Sequence, residues 1–160
     1  MDRGGAAVDV GTGMLDAGDM QHDTALTSNS PAALAQERYL SLTTFTRRGA
    51  LKSTPVWPVA AGDGRIGFVT STKTWKVTRI NSNGRVAVQP CDAKGRVREG
   101  THAVEGSAEV KVGDVFDDIH RRVGAKYGYQ LRLINLLHAL PGRRTGHRND
   151  CAVIVSLDEP

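Results

Sequence analysis

The stretch TSTKTWKVTR, from Thr70 to Arg79, gathers hydroxyls and cations just after an apolar run. That order has a chemical use. A strand that ends in a hydroxyl-rich loop and passes into a helix presents backbone N–H groups to an anion, and the helix dipole adds to the attraction. Thr70, Ser71 and Thr72 supply hydroxyl donors. Lys73 and Lys76 are three positions apart and can converge, and Arg79 follows one turn later, displaced around the helix. The same residues also suit an ordinary solvated helix face. No GxxxxGKS or GxGxxG pattern decides between the two.

The remaining chemistry-bearing residues are sparse. Cys91 and Cys151 fit no metal-ligand spacing and read as two reduced structural thiols. His102, His120, His138 and His147 are scattered without a carboxylate at ligand spacing and read as structural or surface residues, so no metal is expected. Asp117-Asp118 reads as a solvated helix face, and Arg121-Arg122 and Arg143-Arg144 as surface pairs. No side chain is an evident acid or base, and no Ser–His–Asp arrangement is visible.

The elements that must position the Thr70–Arg79 stretch belong to a chain of 160 residues, a length suited to one domain with a sizeable core. No window approaches the roughly 18 apolar residues of a membrane span. The N-terminus lacks a basic region followed by an apolar run, so a cytoplasmic protein without a membrane partner is expected. The net charge of +4 is unevenly spread: residues 1–35 carry five acids and one base, whereas residues 36–160 carry 20 bases and 12 acids. The basic part suits an anionic partner, either nucleic acid or a phosphorylated cofactor. Few aromatics are available for base stacking, which favours the cofactor over nucleic acid.

Residues 1–29, rich in Gly, Asp, Ala and Ser, read as a flexible extension, and residues 30–160 as the folded domain. Ser30-Pro31 suits a helix start. Tyr39–Thr46 and Leu51–Ala60 read as a hairpin, with Pro55 and Pro58 forcing the second strand to an edge or a bulge. Arg65–Ser71 is a third strand, Thr72–Asn83 a helix, Arg85–Cys91 a fourth strand, and Thr101–Val112 a fifth with a bulge expected at Gly106. Asp114 is expected to cap a helix running to Tyr127, a second helix is expected near Gln130–Leu140, and Cys151–Leu157 is a sixth strand. Six antiparallel strands with a helix between the third and fourth predict a mainly β domain with flanking helices, a small barrel.

Two segments then carry a resemblance. LTTFTRRGALKSTPVWPV and GRIGFVTSTKTWKVTRINSNGRVAVQPCDAKGRV resemble the flavin-binding split-barrel superfamily that includes pyridoxamine 5'-phosphate oxidase. They are most similar to its actinobacterial branch of deazaflavin-dependent oxidoreductases, over about Tyr39 to Val110. The resemblance implies a six-stranded antiparallel split β-barrel of the FMN-binding kind. It implies that Thr43, Thr44, Thr54, Pro55, Val56 and Trp57 lie against the cofactor ring system, that Thr70 and Ser71 lie near its phosphate, and that Lys76 and Arg79 form the basic pair of the next helix. Cys91-Asp92 matches the loop after the fourth strand. Three positions depart from the pattern: Arg48 at an often acidic turn, Gly84 in place of proline, and Trp75 in place of glycine, where the indole would narrow the pocket mouth.

The function so implied is hydride transfer between deazaflavin coenzyme F-420 and a small organic substrate, with the hard chemistry residing in the cofactor. FMN is the alternative cofactor, and a non-catalytic carrier the alternative role. The resemblance also implies a homodimer with the cofactor site at the subunit interface.

Overall fold

The computed structural model describes residues 29–138 and 148–158. Residues 1–28 of the acidic extension and the expected end of the second helix, beyond residue 138, lie outside the described residues.

Local chemistry starts the fold. Ser30 accepts a hydrogen bond from the Ala33 N–H at 3.2 Å and caps helix α1 (Pro31–Gln36), with proline in the first turn. Strands β1 (Leu40–Phe45) and β2 (Leu51–Val56) follow as an antiparallel hairpin. Strands β3 (Val59–Gly62) and β4 (Arg65–Thr70) form the next. Asp63 and Gly64 turn it with φ of 52° and 67°, the mirror-image turn that Asp-Gly favours. Helix α2 (Trp75–Ser82) leads to β5 (Arg85–Pro90) and β6 (Val104–Lys111). A long helix α3 (Asp114–His138) precedes β7 (Cys151–Leu157).

The strands form one antiparallel sheet in the order β2-β1-β5-β6-β7-β4-β3. Its two edge strands, β2 and β3, are consecutive in the chain and separated only by Trp57 and Pro58. Three virtual bonds span at most about 11 Å, so the two edges must meet at that corner. The sheet therefore curls into a barrel that stays split elsewhere. The architecture is mainly β with flanking helices, as expected, but with seven strands rather than six. Leu51–Ala60 breaks in two because it serves opposite edges of the curled sheet, and Pro58, which has no N–H, sits at the break. Pro55 lies on an edge strand, where its missing donor costs no ladder bond.

Alternation along the strands builds two cores. Leu40, Leu42, Ile66, Phe68, Val86, Val88, Val153 and Val155 fill the barrel interior, closed by Leu34 of α1 and Ile80 of α2. The opposite face of β7, through Ala152 and Ile154, packs with Val59 against Ile119, Val123 and Tyr127 of α3. Both faces of β7 are covered, which accounts for its continuous apolar run. Gly67 of β4 makes room for that helix: a Cβ there would stand 2.8 Å from Ile119 Cδ1.

Four local expectations differ. Gly106 is not a bulge, because the β5–β6 and β6–β7 registers run through it without a shift. Its missing side chain serves close packing instead, since a Cβ would lie 2.3 Å from the Ser156 carbonyl oxygen. The two helices after Gly113 are one, because Gly124 and Gly128 keep helical geometry and the helix simply continues. Asp114 is within the first turn rather than at the cap, since the Gly113 carbonyl already accepts the Asp117 N–H at 3.0 Å. Helix α2 starts three residues late. Its predicted first turn is held as a loop by bonds described below.

Candidate functional site

Helix α2 begins after a loop whose hydroxyls are largely committed. Thr74, at the N-cap, turns its Oγ1 back to donate to the Ser71 carbonyl at 2.8 Å, so no side chain caps the helix. Ser71 Oγ accepts the Lys73 N–H at 3.2 Å. The Asp150 carboxylate, just before β7, accepts the Thr72 N–H at 2.7 Å and the Thr72 hydroxyl at 2.8 Å. These bonds hold Thr72–Thr74 out of the helix and fasten β4's end to the start of β7.

The Thr72 bonds hold the Asp150 carboxyl below its ordinary value of 3.8. A depressed carboxylate stabilises the fold above its unfolded pKa, and that contribution disappears as pH falls through the folded value. The difference in melting temperature between the native chain and Asp150→Asn is therefore expected to be largest near neutral pH and to close below about pH 4. A difference that stays constant under acid titration would show that the latch does not depend on charge.

Lys76 points from the first turn of α2 back to the strand end, where its Nζ donates to the buried Thr70 Oγ1 at 3.2 Å. Partial burial lowers its pKa, opposed by Cys151 and reinforced by Arg79. Among the described residues it has no carboxylate in ion-pair range. It lines a cleft of about 200 Å³ together with Pro55, Val56 and Trp57 from the β2–β3 corner, Val69, Asn149, and His120, Val123 and Leu131 of α3.

The corner is held firmly. Trp57 stacks on Tyr127 with ring centroids 4.8 Å apart. Tyr127 Oη lies 2.9 Å from the Pro58 carbonyl and 3.1 Å from that of Arg38. Lys126 Nζ donates to the carbonyls of Ala35, Glu37 and Pro58, each at 2.7 Å, and so satisfies the end of α1 and the corner together. Burial lowers the Lys126 pKa and raises that of Tyr127.

The sequence-predicted residues divide. Pro55, Val56, Trp57 and Lys76 meet in one cleft, with Thr70 behind Lys76. Arg79 goes elsewhere: its guanidinium donates to the buried Thr44 Oγ1 at 3.1 Å, and it lines a second cleft with Phe45 and Trp75. Trp75 thus borders that second cleft rather than the mouth of the first. Thr43 bonds Ser53 across the β1–β2 hairpin at 2.9 Å, and Thr54 stands opposite Leu42. Ser71 is buried within the loop, and Lys73 is exposed ahead of the helix. The wall supplied by Val69, Val123 and Leu131, and the polar groups of His120 and Asn149, were not anticipated. The apolar spacing along α3 marked a packing face, but nothing in the sequence says what it faces. Cys91 and Cys151 are buried and unpaired, in keeping with a structural role.

The sequence matches no family model and no curated protein. Solved structures do match. An F-420 reductase superposes with a TM-score of 0.51 at 19% identity, over 82% of this chain and 94% of that one. HutZ, the heme storage protein of Vibrio cholerae, gives 0.51 at 12% identity, over 79% and 86%. A pyridoxamine 5'-phosphate oxidase-related, FMN binding protein from Nostoc punctiforme gives 0.44 at 16% identity, over 88% and 79%. At these identities the first two comparisons show the fold, a split β-barrel. Among the described residues no helix is long and apolar enough to cross a membrane.

Proposed function

We propose that the protein is an oxidoreductase that uses deazaflavin coenzyme F-420 to transfer hydride to or from a small organic molecule. The observation that carries this reading is the first cleft: it joins an apolar, Trp57-lined wall to a half-buried lysine, without a carboxylate partner among the described residues, at a helix N-terminus that no side chain caps. A half-buried ammonium whose hydrogen-bond partner is a neutral hydroxyl favours an anion, and the free N–H groups of a helix start add to that preference. Those features fit, by their chemistry, the phosphate and part of the planar ring system of such a cofactor; at about 200 Å³ the cleft is smaller than a site for the whole molecule.

In this reading Lys76 and the first N–H groups of α2 hold the phosphate, with Thr70 orienting the ammonium. Pro55, Val56 and Trp57 lie along the ring system, and Val69, Val123 and Leu131 exclude water. When bound, the cofactor supplies a hydride donor or acceptor at its ring. His120 lines the same cleft, although its sequence context gave it no role; proton delivery comes from solvent or the substrate.

The deciding experiment is titration of the purified chain with F-420 and with FMN, followed by visible absorbance, and turnover of the loaded protein with a panel of acceptors. Tight F-420 binding with turnover supports the proposal. A preference for FMN moves it to the FMN-binding oxidoreductases, and binding without turnover makes it a carrier. Absence of binding to either cofactor removes the reading.

We further propose a homodimer in which the second protomer borders each cofactor. Exposed Val115, Tyr129 and Leu133 on α3 supply apolar surface for such an interface. Sedimentation at micromolar concentration is expected to give twice the chain mass, and a monomer that binds cofactor fully would rule out the shared site.

A further inference from the structure

We propose that the second cleft, on the outer side of α2, is a separate binding site for a small planar aromatic carboxylate. It has a volume of about 360 Å³ and is lined by Phe45, Arg47, Trp75, Thr78, Arg79 and Ser82, among others. That is the lower part of the size range of small-molecule sites and suits a bicyclic ring. Three features select the ligand class.

First, Trp75 is 75% exposed at the cleft. A large indole left to water offers a stacking face, and the Phe45 ring beside it already carries the Arg85 guanidinium 4.7 Å from its centroid. Second, Arg47 and Arg79 both line the cleft, and neither forms an ion pair among the described residues. Arg79 is anchored through one guanidinium nitrogen to Thr44, so its fork is held in place at the cleft. Third, no acidic side chain is among the described residues that line the cleft. A flat ring on the exposed indole, with its carboxylate on a guanidinium, uses all three, because guanidinium and carboxylate match in planar, two-point geometry.

This site is separate from the Lys76 cleft, because the two share no lining residue, although the Arg79 charge is felt at Lys76. The probe is 2-naphthoate, titrated by calorimetry and by fluorescence. The sequence holds two tryptophans, so in the Trp57→Phe background Trp75 is the sole indole reporter. Binding at or below about 1 mM, with a change in Trp75 emission, is expected. Trp75→Ala is expected to weaken it about fivefold or more, given the usual strength of ring stacking. Arg79→Gln is expected to cost about tenfold. Should Arg79→Gln fail to fold through loss of its Thr44 bond, exposed Arg47→Gln keeps the test open, with a loss of roughly two- to fivefold that shrinks at high salt.

Lys76→Ala is expected to leave naphthoate binding unchanged. Equal affinity in Trp75→Ala, Arg47→Gln and the native chain would overturn the proposal. So would a loss confined to Lys76→Ala, which would place the ligand in the other cleft, and so would absence of binding at the stated concentration.

Discussion

Lys76→Ala is expected to weaken F-420 binding about ten- to a hundredfold. The substitution removes one charge-assisted hydrogen bond of the kind that contributes roughly 1.5–3 kcal/mol. The environment argues for a loss of that size rather than the small effect of a surface lysine. Lys76 is half-buried, is held on the buried Thr70 hydroxyl, and lacks a carboxylate partner among the described residues, so its charge is available to a ligand. The loss should shrink as salt rises, because added ions screen the exposed part of the attraction. Lys111→Ala is the control: that lysine pairs with Glu109 at 2.9 Å on β6 and should leave affinity unchanged. Arg79→Ala should cost less than Lys76→Ala, because its guanidinium is turned to Thr44 and the other cleft. Equal affinity in Lys76→Ala and Lys111→Ala would mean that the phosphate binds elsewhere.

Gly106→Ala is expected to be among the most damaging single-methyl additions in the chain. The added Cβ would stand 2.3 Å from the Ser156 carbonyl oxygen and 2.9 Å from the Leu157 Cα, both backbone atoms. Backbone cannot rotate away as a side chain can. Relief requires β6 and β7 to separate, and their ladder is one of the two that hold β7 in the centre of the sheet. The expected cost is about 3 kcal/mol or more, the upper end of the range for overpacked cores. For a domain of this size that lowers the melting temperature by roughly 6–12 °C. Gly67→Ala is the matched comparison. Its clash at 2.8 Å is with the tip of Ile119, which can change rotamer, so a clearly smaller loss is expected. Similar melting temperatures for the two variants would show that the β6–β7 contact yields more readily than its geometry indicates.

Much of the local structure was legible because it depends on residues a few positions apart. Ser30-Pro31 marked the start of α1, and the runs Tyr39–Thr46, Arg65–Ser71 and Arg85–Cys91 marked β1, β4 and β5. The prolines of Leu51–Ala60 correctly signalled an edge. They could not signal that one stretch would serve both edges, because that follows from the curl of the whole sheet. Gly106 shows the same limit: glycine marked a special position, but whether as a bulge or as a close approach depended on Ser156, fifty residues away.

The site divides along the same line. By itself the sequence determined the supply of groups: the hydroxyl-rich loop, the two lysines, the arginine one turn later, the Pro55–Trp57 segment and the basic balance of residues 36–160. Only the tertiary structure decided their use. It directed Lys76 and Arg79 into different clefts, tied Thr72 to Asp150, and set α3 as the wall opposite Trp57. The physical reason is that helical spacing fixes the angle between two side chains on α2, whereas the surfaces they meet come from β1, the β2–β3 corner and α3. Those surfaces are brought together by burial in two separate cores, and that burial is a property of the packed chain rather than of any window within it.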